Sequence, residues 1–249
     1  MNRTDYSKIA STYNKRYEVN YLPNIEKLLK QLISENKSKN ILEAGCGTGR
    51  WIQTLAEPDI NVYGLDYSLA MLKTFKFTTR IKILNADADY IPFKNNFFDL
   101  IFCVNAIHHF PDKQRFIAEC KRTLKQDGVL AVFGVDPHID KDWYVYDYFE
   151  NVYQNDLKRF PSLKDLEKNL ISGGFNNVNI KIAEEVLNEH IGSEVFKDPF
   201  LEKNHSSQLA NLTGHEYESG IEKIKTEIKR DPKTKFKTNV IFYLITAKT

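Results

Sequence analysis

The sequence at residues 41–51 reads Ile41-Leu42-Glu43-Ala44-Gly45-Cys46-Gly47-Thr48-Gly49-Arg50-Trp51. Its apolar start predicts a buried strand, and the three alternate glycines predict a tight turn from that strand into a helix. A side chain at any of these glycines would hold a ligand away from the backbone, and glycine adopts backbone angles that other residues avoid. The stretch therefore predicts a site where a nucleotide-type ligand lies against bare backbone.

The position of the third glycine separates two kinds of nucleotide site. A dinucleotide-binding turn has the pattern G-x-G-x-x-G, which places a pyrophosphate at a helix N-terminus. Here Gly49 comes one residue early, and Arg50 stands at the dinucleotide position. The tighter pattern of Gly45, Gly47 and Gly49, preceded by Glu43, resembles motif I of the class I S-adenosylmethionine-dependent methyltransferases. The resemblance implies S-adenosylmethionine as cofactor and S-adenosylhomocysteine as product.

An acidic residue follows at the distance that a ribose site requires. Residues 61–66 read as a second short strand that ends in a carboxylate, about 20 residues beyond the first glycine. A carboxylate at this place can accept hydrogen bonds from both ribose hydroxyls, so we assign ribose binding to Asp66. The alternative is that Asp66 caps the next helix, although Ser68 is also placed to cap it.

Two further strands supply the rest of the predicted cofactor site. The third strand, over residues 81–86, ends at Asp87-Ala88-Asp89. In the resembling family an aspartate at this strand end receives the adenine amino group; Asp87 with Ala88 matches that position, and Asp89 is the alternative. The fourth strand, over residues 98–105, is an apolar run typical of a central parallel strand. Asn105 is therefore expected at its carboxyl end, beside the ligand crevice.

The resemblance extends to Gly134 and implies a fold. The strand ends, the sequence His108-His109-Phe110, a helix over 113–124 and a strand over 129–134 resemble the small-molecule branch of these methyltransferases, which includes the ubiquinone and menaquinone biosynthesis enzymes. The implied fold is α/β: a Rossmann-like, mostly parallel sheet of seven strands with an antiparallel last strand, helices on both faces and helical lid inserts. The resemblance leaves the acceptor open, because the family methylates carbon, oxygen, nitrogen, sulfur and arsenic centres.

The resemblance also implies further cofactor contacts. Residues 10–14 look like the family segment that folds over the cofactor, which would let Tyr13 and Arg16 reach the methionine carboxylate. Core packing explains Tyr13 equally well. We also assign to the cofactor site the residues Cys46, Tyr67, Met71, Ala88 and Asn105.

Two histidines are the catalytic candidates. Methyl transfer needs mainly alignment and exclusion of water, and a general base helps when the acceptor carries a proton of unfavourable pKa. His108 and His109 lie just past Asn105, and histidine titrates near neutrality. We expect one of them to face the pocket and the other to pack on the sheet; a structural role for both is the alternative. No metal-ligand spacing such as H-x-x-x-H occurs, so we predict no metal.

A chain of 249 residues is long enough for one well-buried α/β domain with insertions, and its 42% hydrophobic and 27% charged residues are an ordinary soluble composition. The 35 basic and 33 acidic residues give no broad positive surface, so nucleic acid is not the expected partner. The basic segment Lys223–Lys237 has isoleucines at helical spacing and is interpreted as the solvated face of an amphipathic helix. The odd set of Cys46, Cys103 and Cys120 is interpreted as reduced packing residues.

We expect a cytoplasmic protein, because no apolar stretch reaches the roughly 18 residues that span a bilayer and residues 1–7 lack a signal-peptide core. The predicted organisation is a single methyltransferase domain over 1–249. A helix over 163–172 ends at Gly173-Gly174, and a sixth strand lies near 178–182. The parts are a helical arm of two helices (1–35), the cofactor-binding core (36–135), two lid inserts (136–162 and 190–232) and the last strand (236–248).

Three functions fit the sequence. The first is methyl transfer to a small-molecule acceptor, as in biosynthesis. In this case the aromatic segment 143–153 would enclose the substrate, and the protein would be a monomer or a homodimer. The second is an RNA or protein methyltransferase that uses the basic segment to hold its substrate. The third is an S-adenosylmethionine-binding subunit without catalysis.

Overall fold

The computed structural model describes residues 21–75 and 80–249. Strands and helices alternate through its first half, and a group of extra helices follows the fifth strand. Single 3-10 turns cover residues 107–109, 192–197 and 199–201. In chain order the helices and strands are α1 (Pro23–Glu35), β1 (Asn40–Ala44), α2 (Arg50–Thr54), β2 (Asn61–Asp66), α3 (Leu69–Leu72), β3 (Ile81–Asn85), β4 (Phe98–Val104), α4 (Lys113–Thr123), β5 (Leu124–Gly134), α5 (Tyr144–Tyr148), α6 (Val152–Arg159), α7 (Leu163–Ser172), β6 (Asn176–Ile191), α8 (Ser207–Ala210), α9 (Gly214–Arg230) and β7 (Lys235–Lys248).

The strands of the described chain form one seven-stranded sheet in the order β3-β2-β1-β4-β5-β7-β6. Strands β1 to β5 pair in parallel, whereas β7 runs antiparallel to both β5 and β6. This confirms the predicted Rossmann-like sheet with an antiparallel last strand. The strand order reverses between β1 and β4, and ligands of open α/β sheets bind in the crevice at such a reversal.

Helices cover both faces of the sheet, as predicted. On one face α1 and α2 bury apolar side chains such as Leu29 and Trp51 against β1, β2 and β4. On the other face α4 and α7 bury Phe116 and Leu170 against the same strands and β5. All three cysteines are buried free thiols within these layers or the glycine turn. Across the described ranges no helix is long and apolar enough to cross a membrane.

The extra helices have a hydrophobic core of their own, which we call the lid core. It collects Tyr144, Phe149, Leu209 and Ile224 from α5, the loop after it, α8 and α9. Phe236, at the start of β7, belongs to the same core. Strand β7 therefore extends from the lid core into the main sheet, where its second half pairs with β5.

Some boundaries differ from the sequence predictions. The helix predicted over 113–124 ends at Thr123, because Leu124 already pairs with Phe98, and β5 begins five residues before the predicted start at Val129. The sixth strand, predicted near 178–182, runs to Ile191 because it pairs with β7 over its whole length. The second insert accordingly begins after Ile191 and not at residue 190. The first of the two predicted arm helices lies outside the described residues; the second is α1.

Candidate active site

The glycine turn between β1 and α2 has all three glycines at positive φ: 73° at Gly45, 54° at Gly47 and 77° at Gly49. A side chain on Gly45 would place its Cβ 2.6 Å from the Cβ of Ala106, so the close approach of the two loops requires glycine. An ideal Cβ on Gly47 has no heavy atom within 4 Å, and Gly47 borders an open cleft. A side chain at residue 47 would therefore enter space that a ligand could use.

This cleft encloses about 910 Å³, including the part open to solvent, at the carboxyl ends of β1, β2 and β4. Gly49 lies outside its wall, where an added Cβ would meet the Phe75 ring at 2.2 Å. Asp89, the alternative to Asp87, is also absent from the wall, and Tyr13 and Arg16 lie outside the described residues. The predicted cofactor residues that do line the cleft are Glu43, Gly45, Cys46, Gly47, Asp66, Tyr67, Met71, Asp87, Ala88 and Asn105.

Asp66 ties the glycine turn to the end of β2. Its Oδ2 accepts a hydrogen bond from the backbone N–H of Gly47 and its Oδ1 accepts one from Ser68, each at 2.7 Å. Ser68 caps α3 by accepting from the N–H of Met71 at 3.3 Å, so Asp66 is not the helix cap. Burial raises the pKa of Asp66, and the two backbone donors oppose that rise. Each carboxylate oxygen can accept a further hydrogen bond, as binding of ribose hydroxyls requires.

Glu43 is an almost fully buried acid at the end of β1, with 1% of its surface exposed. Burial raises its pKa well above the usual value, a backbone hydrogen bond from Ile52 opposes the rise, and the charge of Asp66 adds to it. Its Oε2 has no hydrogen-bond partner within the part of the chain that the structure describes. Because such an atom costs free energy, a ligand that donates a hydrogen bond to it would stabilise the site.

Several wall residues were not predicted from the sequence. Ala106, Phe110 and Pro111 close the cleft from the loop after β4, and Trp51 closes it from α2. The Phe110 ring lies 3.2 Å from the ideal Cβ position of Gly45. Their closeness in sequence to the glycines and to the β4 end was the available signal, but apolar residues there are equally typical of core.

Asn105 lies where the cleft meets a second cavity, and it lines both. Its φ of 50° falls in the left-handed region that asparagine tolerates better than most residues. Its backbone N–H donates to the carbonyl of Phe133 at 2.7 Å, which fixes the loop to β5. The buried Oδ1 has no partner among the described residues, so it offers an acceptor at the boundary of the two spaces.

The two histidines occupy different positions. His109 is partly buried and lines both the cleft and the second cavity, whereas His108 is 4% exposed and lines the second cavity alone. Their ring centroids are 3.9 Å apart, and the His108 ring stacks on Phe160 at 3.8 Å. His109 thus faces the cofactor cleft, and His108 stacks on the insert residue Phe160.

The second cavity encloses about 760 Å³, including open space, between the lid inserts and β7. Its aromatic walls are Trp143, Tyr146 and Phe200. The predicted enclosure by the whole aromatic segment 143–153 is too broad, because Tyr144 and Phe149 point into the lid core. Across the described ranges no group of three or more His, Cys, Asp or Glu side chains could hold a metal ion.

Comparison with known proteins matches this site to a family. A model of the methyltransferase domain matches residues 42–132, which contain the end of β1 and the glycine turn. An uncharacterised protein of Methanocaldococcus jannaschii is 31% identical over 179 residues, which are 71% of this chain and 66% of that protein, slightly less than two thirds of its length. The demethylmenaquinone methyltransferase of Listeria welshimeri is 26% identical over 176 residues, 59% of this chain and 75% of that protein.

Solved structures share the fold. A candidate methyltransferase from an antibiotic biosynthesis pathway of Anabaena variabilis superposes with a TM-score of 0.62 at 18% identity, over 83% of this chain and 90% of that one. Other structures of this fold hold S-adenosylmethionine or S-adenosylhomocysteine.

The matched model assigns a methyltransferase domain to residues 42–132. The strand order and the glycine turn around it are those of the class I S-adenosylmethionine-dependent methyltransferases. Within that class the chain resembles the methyltransferases of quinone biosynthesis.

Proposed function

We propose that the protein transfers the methyl group of S-adenosylmethionine to a small-molecule acceptor bound in the second cavity. The observation that carries this proposal is that Asn105 and His109 line both the cofactor cleft and the second cavity. A methyl donor in the cleft and an acceptor in the cavity would meet at these two residues. The second cavity is walled by lid residues and aromatic side chains, which suits a compact substrate.

The cleft fits the cofactor residue by residue. Gly47 offers bare backbone beside open space, and Asp66 offers two carboxylate oxygens for ribose hydroxyls. Asp87 and Ala88 lie at the β3 end of the cleft, where Asp87 would accept from the adenine amino group. The unpartnered Oε2 of Glu43 would accept from the amino group of the methionine part.

When bound, the cofactor would supply an activated methyl group, which the acceptor's nucleophile would attack in line with S-adenosylhomocysteine as the leaving group. The protein's part is to align the acceptor and exclude water, which can supply about 7–11 kcal/mol at best. Asn105 Oδ1 would orient a donor group of the acceptor at the boundary of the two spaces. An imidazole nitrogen of His109 would take the acceptor's proton, if it carries one, while Trp143 and Phe200 keep the cavity dry.

The experiment has two stages. Calorimetry should show binding of S-adenosylhomocysteine and no binding of NAD; heat with NAD alone would overturn the cofactor site. Mass spectrometry of small-molecule mixtures incubated with the protein and S-adenosylmethionine should then detect products 14 Da heavier. We expect His109→Ala to lower kcat without weakening S-adenosylhomocysteine binding, and His108→Ala to affect mainly packing against Phe160. Cofactor binding without transfer to any small compound would favour the non-catalytic subunit.

A polymeric substrate is the second candidate, and the contacts of α9 count against it. Lys225 pairs with Glu222 and Arg230 pairs with Glu227 on the exposed side of this helix. Ile224, on the opposite side, is buried in the lid core. Two of the basic side chains are therefore paired with acids of the same helix, which supports a role for α9 as the outer face of the lid.

A further inference from the structure

An acidic segment forms part of the wall of the second cavity. Between residues 136 and 147 the chain carries four aspartates and a single lysine or arginine, although its net charge is +2. Asp140 from this segment lines the cavity, and none of the described lining residues is a lysine or an arginine. A cavity with walls of low dielectric and charge of one sign concentrates ligands of the opposite charge.

Asp140 has one carboxylate oxygen available. Asp140 Oδ2 has no partner within residues 21–75 and 80–249, and Tyr243 lies beside Asp140. Burial and then the neighbouring carboxylates of Asp140, Asp136 and Glu185 raise the pKa of Tyr243 to about 12. Tyr243 therefore keeps its hydroxyl proton at neutral pH and adds no second negative charge beside Asp140. Asp140 Oδ2 is a strong acceptor for a charged donor on a ligand.

Aromatic faces surround the same space. Trp143 makes edge-to-face contacts with Tyr146 and Phe200 at centroid distances of 5.2 and 6.1 Å. Such rings attract cations placed over their faces. Trp143 is 6% exposed, and its Nε1 has no hydrogen-bond partner among the described residues, so a ligand with an acceptor group would complete it.

Two wall donors that an anionic ligand could use are engaged with Asp156 instead. Tyr146 donates its hydroxyl to Asp156 at 3.0 Å, and Gln208 donates its Nε2 to Asp156 at 2.9 Å. Arg159 also pairs with Asp156, at 2.7 Å, and lines a neighbouring cavity. A carboxylate or phosphate ligand in the second cavity would thus face Asp140 with no lysine or arginine in the described wall. The wall groups that can carry positive charge are the imidazoles of His108, His109 and His205.

We propose that the acceptor is an amine: a compound with a planar or apolar body, one hydrogen-bond acceptor and a basic amino group that Asp140 and the aromatic walls hold as an ammonium. This substrate class rests on the proposed function, because the second cavity is assigned to the acceptor there. Asp140 is a binding residue in this proposal and takes no part in moving the methyl group. An ammonium nitrogen has no lone pair, so a proton would pass from it to His109 before the nitrogen attacks the methyl group and S-adenosylhomocysteine leaves.

Matched compounds test the proposal by calorimetry on the protein saturated with S-adenosylhomocysteine. Tyramine, tyrosol and 3-(4-hydroxyphenyl)propionate share one ring and differ in an amine, alcohol or carboxylate head; tryptamine and tryptophol form a second pair. We expect at least one amine to bind about 10- to 100-fold more tightly than its alcohol, and the carboxylate to bind least. Amines that bind no better than their alcohols in both pairs would overturn the proposal.

Two variants separate direct contact from general charge. Asp140→Asn should weaken amine binding by about 10- to 100-fold and leave alcohol binding unchanged. Asp147→Asn removes a charge from the same segment but lies outside the cavity wall, so it should retain wild-type amine affinity. Equal amine affinity in Asp140→Asn and wild type would also overturn the proposal.

The cofactor titration distinguishes the failure of this proposal from that of the proposed function. Binding of S-adenosylhomocysteine without preference for amines overturns the amine alone, and absence of S-adenosylhomocysteine binding overturns both. Retained S-adenosylhomocysteine binding in each variant shows that it has folded.

Discussion

Asp66 is the residue on which the cofactor cleft depends most directly, since it holds the turn and faces the predicted ribose position. Loss of an acceptor for two ribose hydroxyls costs about 2–3 kcal/mol, so Asp66→Ala should weaken S-adenosylhomocysteine binding about 30- to 150-fold by calorimetry. Asp89→Ala, at the β3 end but outside the cleft wall, should keep the wild-type affinity. An unchanged dissociation constant in Asp66→Ala would contradict the ribose role.

Glu43 makes the stability of the free protein depend on pH. Its pKa is raised well above 4.5 in the folded state by burial, so the folded protein keeps this proton to higher pH than the unfolded chain. The stability that Glu43 contributes is therefore complete below the unfolded pKa and is lost as pH rises toward the folded pKa. The glutamine in Glu43→Gln does not titrate, so the variant does not lose this stability as pH rises. The difference in Tm between Glu43→Gln and wild type should therefore increase in favour of the variant from about pH 5 to about pH 8.

A matched variant controls for the charge change. Glu57→Gln alters an exposed side chain on the loop after α2, and its difference in Tm from wild type should stay constant over the same pH range. Thermal unfolding at several pH values measures both variants. A constant difference for Glu43→Gln would show that burial leaves this carboxyl titrating normally.

The residues of the cleft could be predicted from the sequence far better than those of the second cavity. Glu43 to Gly49 are contiguous, and Asp66 and Asp87 each end a strand, so backbone geometry alone brings them to one edge. The second cavity instead joins Asp140 and Trp143 to side chains about 100 residues later, and that meeting depends on how the lid packs. No short pattern in the sequence records such a contact.

At the level of elements, α9 packs so closely on the loop after α5 that one added methyl group should disturb the contact. An ideal Cβ on Gly220 would lie 2.3 Å from the Phe149 ring, which stacks on Tyr217. Alanine is normally the better helix former by about 1 kcal/mol, but overpacking costs about 1–3 kcal/mol. Gly220→Ala should therefore lower Tm and weaken binding of the acceptor, with S-adenosylhomocysteine affinity unchanged.

The control for Gly220→Ala is Ser219→Ala, one residue earlier and exposed on the same helix. We expect Ser219→Ala to hold or slightly raise Tm in thermal unfolding. A higher Tm for Gly220→Ala would mean that the lid core rearranges to accommodate the added methyl group without losing stability.

Edge strands account for the main error in the predicted elements. Strand β6 pairs only with β7 in the described sheet, and few of its positions are buried. Its sequence mixes Asn, Lys and Glu with isolated apolar residues, so the pattern indicated five strand residues where the structure has sixteen. The central strand β4, buried at nearly every position, was predicted to within one residue because its apolar run is continuous.

At the scale of the whole molecule, charge distinguishes small acceptors from polymers. A polymer held by several lysines would lose affinity by orders of magnitude between roughly 50 and 200 mM salt. For a small acceptor we expect KM to stay nearly constant over this range. Replacing Lys225, Lys229 and Arg230 together with Gln should leave turnover almost intact, since surface ion pairs contribute about 0–1 kcal/mol each. A steep salt dependence, or a large loss in this variant, would favour RNA.

Strand β7 begins in the lid core at Phe236 and ends in the main sheet, where Leu244 and Ile245 are buried against both helical layers. One continuous strand is thus shared by the substrate-binding and cofactor-binding halves. Neither half can melt without removing hydrogen-bond partners from the other, so heat should disrupt them in a single cooperative transition. A substitution that destabilises the lid should therefore make the cofactor cleft unfold sooner on heating as well.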